Sequence, residues 1–410
     1  MTDAVITGLG IVAPSGIGTP EHWAATVGAQ QCVRRIDRFD PSRYATQLAG
    51  QVPDFSLESF VDDRIAIQTD RWSWFSLAAT QLALEDGSYD PSSYDPRATG
   101  VVLASGSGGN EFGQREIARL WSRGRTAVSA YQSIAWFYAA STGQVSIRHQ
   151  TKGPSGVLVS EGAGGLDSLA QARRVIRRGT SAVLSGGTEA GISPYALTCQ
   201  MTSGRLSTAT EPALGYRPFD KAANGHTPGE GGAVLLVEDE DRAVARRAPE
   251  IYGVLAGYGS THDAHHYQDP APDPRYYAMA MRHALADAGL TPDDVDVVFA
   301  DGAGSPDLDA LEIGALQDVF GQRRTSIPVT APQGLIGRLC AGGSALNVAN
   351  ALLSMRHGVV PGVGNLCDPV PARGLDLLGA ATDMTVRVAM VNARGYGGFN
   401  SSLILRAYQG

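Results

Sequence analysis

Short apolar segments alternate along the chain with turn glycines and with longer segments of helical period. Residues 4–8, 101–106 and 182–187 are each largely apolar at consecutive positions, which is typical of strands covered on both faces. Such strands, alternating with helical segments from end to end, indicate a layered α/β fold. We therefore predict an α/β protein with helices on both faces of its sheets.

The second half of the chain repeats a feature of the first. Residues 163–165 (Ala-Gly-Gly) open a helical segment that ends near Gly179, and residues 341–343 (Ala-Gly-Gly) open one of nearly the same length that ends near Gly358. Paired glycines at a helix start let two backbones approach closely, so this faint repeat predicts a duplicated unit. A boundary near residue 250 then divides the chain into an N-terminal half, 1–250, and a C-terminal half, 251–410.

Composition excludes several classes of function. With 410 residues and 43% hydrophobic side chains, the chain can bury a large core. A net charge of −8 with interspersed signs argues against a nucleic-acid or membrane-surface partner. The start lacks a basic segment and no run of about 18 apolar residues occurs, so we expect a cytoplasmic protein that is neither exported nor inserted in a membrane.

One dense basic cluster stands out, formed by Arg173, Arg174, Arg177 and Arg178. We predict a solvated helix face, because charge runs usually face water. A docking patch for an acidic partner is the alternative.

Neither the cysteines nor the histidines predict a metal site. His262, His265 and His266 fall in a polar, Asp/Pro-rich stretch that predicts a loop rather than a fixed ligand geometry. The cysteines are too widely spaced for a metal site or redox couple, and we expect reduced, packed thiols. They are Cys32, Cys199, Cys340 and Cys367.

Three motifs in order carry a resemblance to a known family. They are residues 8–14 (GLGIVAP), residues 217–220 (RPFD) followed by 229–233 (GEGGA), and residues 395–401 (GYGGFNS). With them, the chain from about residue 4 to residue 406 resembles the β-ketoacyl synthases of the thiolase superfamily. The resemblance implies a five-layered αβαβα thiolase-like sandwich made of two duplicated halves.

The resemblance places the catalytic nucleophile in residues 159–168. An active family member has a cysteine there, at the N-terminus of a buried helix whose dipole favours the thiolate. This chain has Gly162 at that position. Because glycine has no side chain, it cannot hold an acyl group as a thioester.

The two histidine positions of the family have also changed. Active members use these histidines to polarise the thioester carbonyl and to assist decarboxylation of the extender unit. Here Asp301 stands at the first position, Arg338 at the second, and Gln333 at the lysine five residues before it. An aspartate would repel a developing oxyanion, and arginine cannot act as a base at neutral pH but pairs well with a carboxylate. We predict that Arg338 and Asp301 form a structural ion pair.

Loss of all three catalytic groups within a retained frame resembles one subfamily, the chain length factors of type II polyketide synthases. Residues 111–122, 163–167, 299–304 and 337–339 carry this closer resemblance. It implies no autonomous activity, no cofactor, a catalytic ketosynthase as partner and an acyl carrier protein that delivers the growing polyketide. Chain length factors usually have glutamine at the nucleophile position, so Gly162 puts any priming decarboxylation in doubt.

The resemblance also carries over residues that limit product length. They are Asn110, Gly113 and Ile117, whose i, i+3, i+7 spacing places them on one helix face. Short-product members have bulky aromatic residues on this stripe, so we predict a deeper tunnel and a longer polyketide. For Gly113 the alternative is that glycine allows close helix packing at the dimer contact.

The segment 131–138 is too aromatic for a solvent-facing loop. Tyr131, Trp136, Phe137 and Tyr138 predict a heterodimer interface, where aromatic residues are enriched and charge is depleted. We expect a large, obligate contact.

The sequence leaves two alternative functions open. One is an active malonyl-carrier-protein decarboxylase or loading enzyme with an unconventional nucleophile, for which Glu161 is the nearby candidate; a carboxylate stabilised at a helix N-terminus is a poor nucleophile. The other is a degenerate homodimeric scaffold that binds carrier protein or lipid without shaping a product.

Overall fold

The computed structural model describes residues 2–321, 323 and 325–409. The strands are β1 (Ala4–Ala13), β2 (Gly16–Ile17), β3 (Val33–Arg35), β4 (Leu48–Gly50), β5 (Thr99–Ala104), β6 (Ser155–Leu158), β7 (Ala182–Ala190), β8 (Glu230–Asp239), β9 (Gly253–His262), β10 (Val297–Phe299), β11 (Ile327–Thr330), β12 (Val359–Val360), β13 (Leu375–Leu377), β14 (Thr382–Asp383), β15 (Val388–Gly395) and β16 (Phe399–Arg406). The α-helices are α1 (Thr19–Val27), α2 (Asp63–Gln68), α3 (Arg71–Asp86), α4 (Asn110–Arg123), α5 (Gln132–Ala135), α6 (Ala140–His149), α7 (Gly164–Ile176), α8 (Pro194–Met201), α9 (Pro212–Gly215), α10 (Glu240–Ala245), α11 (Arg275–Ala288), α12 (Pro306–Phe320) and α13 (Ala341–His357).

The main sheet is built twice from the same pattern. β1 and β9 pair antiparallel through Val5 with Val254 and Ile6 with Gly253. Outward from β1 the order is β8, β7, β5, β6, and outward from β9 it is β16, β15, β10, β11, with β13 as an additional strand beyond β11. In both directions the first two pairings are antiparallel and the next two are parallel. The duplication predicted from two helix starts therefore extends to the strand order.

Helices separate and cover the two half-sheets. α7 and α13 pack against each other and against strands of both half-sheets, while α3 covers β1 and β8 and α11 covers β9 and β16. Leu166 and Leu169 of α7 share one buried cluster with Leu346 and Leu353 of α13. Burial of each such leucine contributes about 1.5–3 kcal/mol. The five-layered sandwich of two duplicated halves is confirmed.

The middle layer depends on close backbone contact. A Cβ atom at Gly165 would overlap the carbonyl oxygen of Ala341 and lie 2.5 Å from Ser344 Oγ, and the Gly165 amide donates a 3.1 Å hydrogen bond to that hydroxyl. The predicted use of glycine at these helix starts, to let two backbones approach, is confirmed.

The arginine cluster only partly matches its prediction. Arg174, Arg177 and Arg178 are exposed as expected. Arg173 is buried, because α7 lies in the middle layer and this side chain reaches Asp287 of α11 and donates to the carbonyl of Ala256 in β9.

Two smaller predictions were also wrong. Cys199 and Cys367 are exposed rather than packed, since α8 and the segment after β12 lie at the surface. His262 is the last residue of β9 rather than a loop residue, because β9 extends to pair with Phe399 of β16. Within the described ranges we find no helix long and apolar enough to cross a membrane.

Gly165→Ala should destabilise the fold by about 1–3 kcal/mol, because its methyl group would force α7 away from α13. Gly143→Ala in α6 is the matched control, since nothing lies within 4 Å of a Cβ there. That variant should gain about 0.5–1 kcal/mol from the better helix former. Denaturant unfolding of both variants measures the difference, and equal stability would contradict the close contact.

Candidate functional site

The turn that carries Gly162 is closed around the glycine. Residues Glu161–Ala163 form a single 3-10 turn directly before α7, and Glu161 has a left-handed backbone with φ 49°. A Cβ at Gly162 would overlap the carbonyl oxygen of Arg394 and lie 3.0 Å from Arg338 Nη2. No side chain fits at this position unless the backbone moves.

This turn is held by the C-terminal half of the chain. Asp167, in the first turn of α7, accepts hydrogen bonds from Ser160 Oγ, from Tyr258 Oη at 2.6 Å and from Ser401 Oγ at 2.5 Å. Tyr258 and Ser401 lie on neighbouring strands, β9 and β16. The carboxylate thus fixes the turn relative to both.

The ion pair predicted from the sequence is present. Arg338 Nη1 lies 3.2 Å from Asp301 Oδ2 and Nη2 lies 3.3 Å from Oδ1, so the contact is bidentate. Arg338 Nη2 also donates to the carbonyl of Arg394 at 3.0 Å and lies 4.0 Å from Glu161 Oε2. Burial opposes the charge on Arg338, but the Asp301 and Glu161 carboxylates outweigh it and raise the pKa of the guanidinium. Arg338 is therefore a permanent cation.

Gln333 has a structural role in this site. Its Nε2 donates to the carbonyls of Ala300 at 2.9 Å and Asp301 at 2.5 Å. Asn347 Nδ2 lies 3.4 Å from its Oε1. Gln333 therefore holds the loop that presents Asp301.

Two buried carboxyl groups that the sequence analysis missed support the same loop. Glu312 accepts from the amides of Asp301 and Gly302 at 2.9 and 2.8 Å, and burial with Asp301 nearby raises its pKa to about 7. Asp309 accepts from the Gly304 amide at 3.0 Å, and burial raises its pKa to about 8. Their i, i+3 spacing on α12 was the available signal, because both then face the loop before the helix.

His226 is a further buried group beside the ion pair. Burial, together with the nearby charges of Arg338 and Arg205, lowers its pKa to about 3, so its ring is neutral. Its Nδ1 atom has no hydrogen-bond partner among the described residues.

A cavity of about 280 Å³ lies next to the closed turn. Its lining includes Asn110, Glu161, Glu189, His226 and Cys340. Burial and the neighbouring Glu161 and Glu189 carboxylates raise the pKa of the Cys340 thiol. The Cys340 thiol is therefore protonated and a poor nucleophile.

Glu189, one of the lining residues of this cavity, is held by four hydrogen bonds. It accepts hydrogen bonds from Ser105 Oγ at 3.2 Å, from the Gly106 amide at 2.5 Å, and from the amide and hydroxyl of Ser107 at 3.1 and 2.5 Å. Burial nevertheless raises its pKa to about 7.

On the side of residues 268–270, ion pairs fill the approach to Arg338 and Asp301. Arg394 Nη2 lies 2.8 Å from Asp263 Oδ2, and Arg205 Nη1 lies 2.8 Å from Asp307 Oδ2. The two arginines of these pairs line a small cavity of about 30 Å³ together with His226, Asp301 and Arg338.

The predicted stripe on α4 is present, but its three residues have different surroundings. Asn110 lines the 280 Å³ cavity. Gly113 is buried beneath Trp136. Ile117 is 46% exposed in the single chain.

The predicted interface segment is exposed in the single chain. Tyr131, Trp136 and Phe137 are 36%, 47% and 54% exposed. Tyr138 is half-buried and lines the same cavity as Asn110.

Comparison with known proteins identifies the family. The family model for the beta-ketoacyl synthase N-terminal domain matches residues 1–243, and the model for the C-terminal domain matches residues 252–366. The chain belongs to the β-ketoacyl synthase family. The resemblance inferred from the sequence motifs is thereby confirmed.

Within this family, the chain is similar to polyketide synthase components. It is 48% identical to the tetracenomycin polyketide synthase ketoacyl synthase beta subunit of Streptomyces glaucescens and 47% identical to the actinorhodin polyketide putative beta-ketoacyl synthase 2 of Streptomyces coelicolor, over 98% of each chain in both comparisons. Its structure is similar to the ishigamide ketosynthase/chain length factor, with a TM-score of 0.92 and 25% identity over 100% of both chains. It is also similar to a type II acyl-carrier protein complex with its ketosynthase bound to the hexaketide, with a TM-score of 0.90 and 25% identity over 100% of both chains.

Arg338→Ala should destabilise the chain by about 3–5 kcal/mol, because it leaves the Asp301 carboxylate, whose side chain is 10% exposed, without its cation. Arg282→Ala is the control. It removes an ion pair with Asp318 in which both side chains are about half exposed, so its cost should stay within about 0–1 kcal/mol. Equal costs in denaturant unfolding would argue against a buried, mutually dependent pair.

Glu189→Gln should change how stability depends on pH. The folded chain holds this proton up to about pH 7, whereas the ordinary carboxyl value is 4.5. Stability that Glu189 contributes below pH 4.5 is therefore lost as the pH rises to 7. We expect the free energy of unfolding of the variant, relative to the parent chain, to be more favourable at pH 8 than at pH 5. The exposed Glu211→Gln should show no such trend, and parallel pH profiles for all three proteins would refute the assignment.

Proposed function

We propose that this chain is a chain length factor, the non-catalytic subunit of a type II polyketide synthase. It pairs with a ketosynthase that supplies the nucleophilic cysteine, completes the tunnel at their interface and limits the length of the polyketide. The observation that carries the proposal is the closed turn at Gly162, with the Arg338–Asp301 ion pair in place of two histidines.

The absence of catalysis is supported by what the retained groups can do. Gly162 offers no nucleophile, Arg338 stays protonated, and the Cys340 thiol is held protonated by burial and adjacent carboxylates. Glu161 lies within 4.0 Å of the Arg338 cation. Attack on a thioester needs a free nucleophile, and none of Gly162, Arg338 and Cys340 supplies one.

The charged lining of one side of the site gives further support. The side of residues 268–270 leads to ion-paired Arg205, Arg394 and Arg338 around a space of about 30 Å³. An acyl group that entered from this side would meet the Arg394–Asp263 pair, whose side chains are 11% and 2% exposed, and such a buried pair is costly to separate.

Pairing with a second subunit is supported by the exposed apolar surface. Large exposed apolar residues lie on α4, in the segment 131–138 and near β6. In the described part of the chain β6 pairs with β5 only, so it is an edge strand of the main sheet. Helices α4 and α5 are in contact, and large apolar residues exposed side by side are typical of protein interfaces. These residues are Ile117, Leu120, Trp121, Tyr131, Ile134, Trp136, Phe137, Ile147 and Val159.

Relatives support both partners. A similar structure is titled as a ketosynthase/chain length factor, and another as an acyl-carrier protein complex with its ketosynthase. By similarity, the partners proposed here are a catalytic ketosynthase and a malonyl- or polyketide-bearing carrier protein.

The direct test is product length from a reconstituted complex of ketosynthase, this chain and malonyl-carrier protein. Asn110→Phe and Ile117→Phe should each shorten the major product, because added side-chain volume on the stripe narrows the space for further units. Val244→Phe, at a site 53% exposed on α10, should leave the product unchanged. Product masses report the length.

Two further results would overturn the proposal. Intact-mass detection of an acyl adduct on this chain after incubation with malonyl-carrier protein alone would show an active site. Purification as a stable homodimer with no preference for a ketosynthase would favour a scaffold.

A further inference from the structure

Gly113, in the middle of the stripe, is covered by the segment that follows α4. A Cβ at Gly113 would lie 3.2 Å from Trp136 Cδ1, 4.0 Å from Trp136 Nε1 and 3.7 Å from Gln132 Nε2. The space beside the glycine is therefore already occupied by the indole ring of the same chain. A side chain at position 113 would displace that ring by a few tenths of an ångström or more.

The backbone that carries Trp136 is fixed against the start of α4. The Gly109 amide donates to the Trp136 carbonyl at 3.4 Å. A Cβ at Gly109 would overlap the carbonyl oxygen of Ala135, and one at Gly108 would lie 2.8 Å from the Trp136 carbonyl. The backbone of Trp136 therefore has a fixed position relative to the stripe on α4.

Trp136 also connects the stripe to the interior cavity. Its ring centre lies 6.0 Å from that of Tyr138, with the planes tilted by 49°, and Tyr138 lines the cavity together with Asn110. The indole is 47% exposed in the single chain, so one side faces α4 and the other faces outward.

Gln132, which lies beside Gly113 with Trp136, has an unpartnered polar atom in the single chain. Gln132 Oε1 is buried and has no hydrogen-bond partner among the described residues. A buried amide oxygen of this kind normally accepts a hydrogen bond. A group that donates a hydrogen bond is therefore expected here, and an N–H or O–H of the partner subunit fits, whereas the ketone oxygens of a poly-β-ketone only accept.

We infer that Trp136, rather than the residue at position 113, sets the depth of the polyketide channel at the stripe. A large, rigid indole over a glycine forms a wall that is as bulky as an aromatic residue on the helix itself. Gly113 is then needed so that Trp136 can pack, and its lack of a side chain does not by itself make the channel deeper. The role of Trp136 presupposes the chain-length function proposed above.

Removal of the indole tests this role in the reconstituted complex. Trp136→Ala should lengthen the major product by at least one two-carbon unit, and Trp136→Phe should give a smaller shift toward longer products. Trp136→Ala combined with Gly113→Phe should return the product toward its original length, because the new ring refills the vacated space. Such compensation would be a coupling that independent sites do not show.

Comparison with other variants shows whether a negative result contradicts the role of Trp136 or the proposed function itself. Tyr267→Ala, at a site 80% exposed in the loop after β9, should leave product length unchanged. If Ile117→Phe shortens the product but Trp136→Ala and Trp136→Phe do not lengthen it, Trp136 is not the wall. If no stripe variant changes the length, the proposed function itself fails. Should Trp136→Ala not pair with the ketosynthase, Trp136→Phe retains the aromatic contact, and an unchanged product from it overturns the inference.

Discussion

The close contact between α7 and α13 is the constraint on which the site depends. Both helices begin at the same end of the middle layer, and Gly165 lets their backbones touch near Ala341 and Ser344. The turn with Gly162 precedes one helix and Arg338 precedes the other, so helix packing alone brings these two positions together. The close approach of these two helix starts therefore positions both the turn and the ion pair.

Electrostatic balance explains how the remaining charges persist in a buried region. Arg338 is paired with Asp301 and faces Glu161, Arg394 is paired with Asp263, and the loop under Asp301 is held by two carboxyl groups with raised pKa values. A buried charge without a partner is costly, whereas a paired and hydrogen-bonded one is tolerated. Exchange of one member without the other would leave an uncompensated charge.

The strand pattern, the duplication and the Arg338–Asp301 pair could be predicted because each leaves a local signal. Consecutive apolar residues mark buried strands, repeated Ala-Gly-Gly sequences mark the two central helices, and a carboxylate and a guanidinium at two positions known to converge must meet. Burial of Arg173 could not be predicted, since it depends on Asp287 of a helix more than a hundred positions away. The packing of Trp136 over Gly113 was missed for a related reason: helical spacing shows which residues share a face but not what covers that face.

The closed turn at Gly162 also bears on how such a chain evolves. Two of the four glycine codons become cysteine codons by one base change, so from those codons a thiol at position 162 is a single mutation away. The carbonyl of Arg394 and the guanidinium of Arg338 occupy the volume it would need. A cysteine introduced alone would therefore displace this backbone carbonyl and cost stability. The close packing of this turn thus disfavours the gain of a side chain at position 162 by a single substitution.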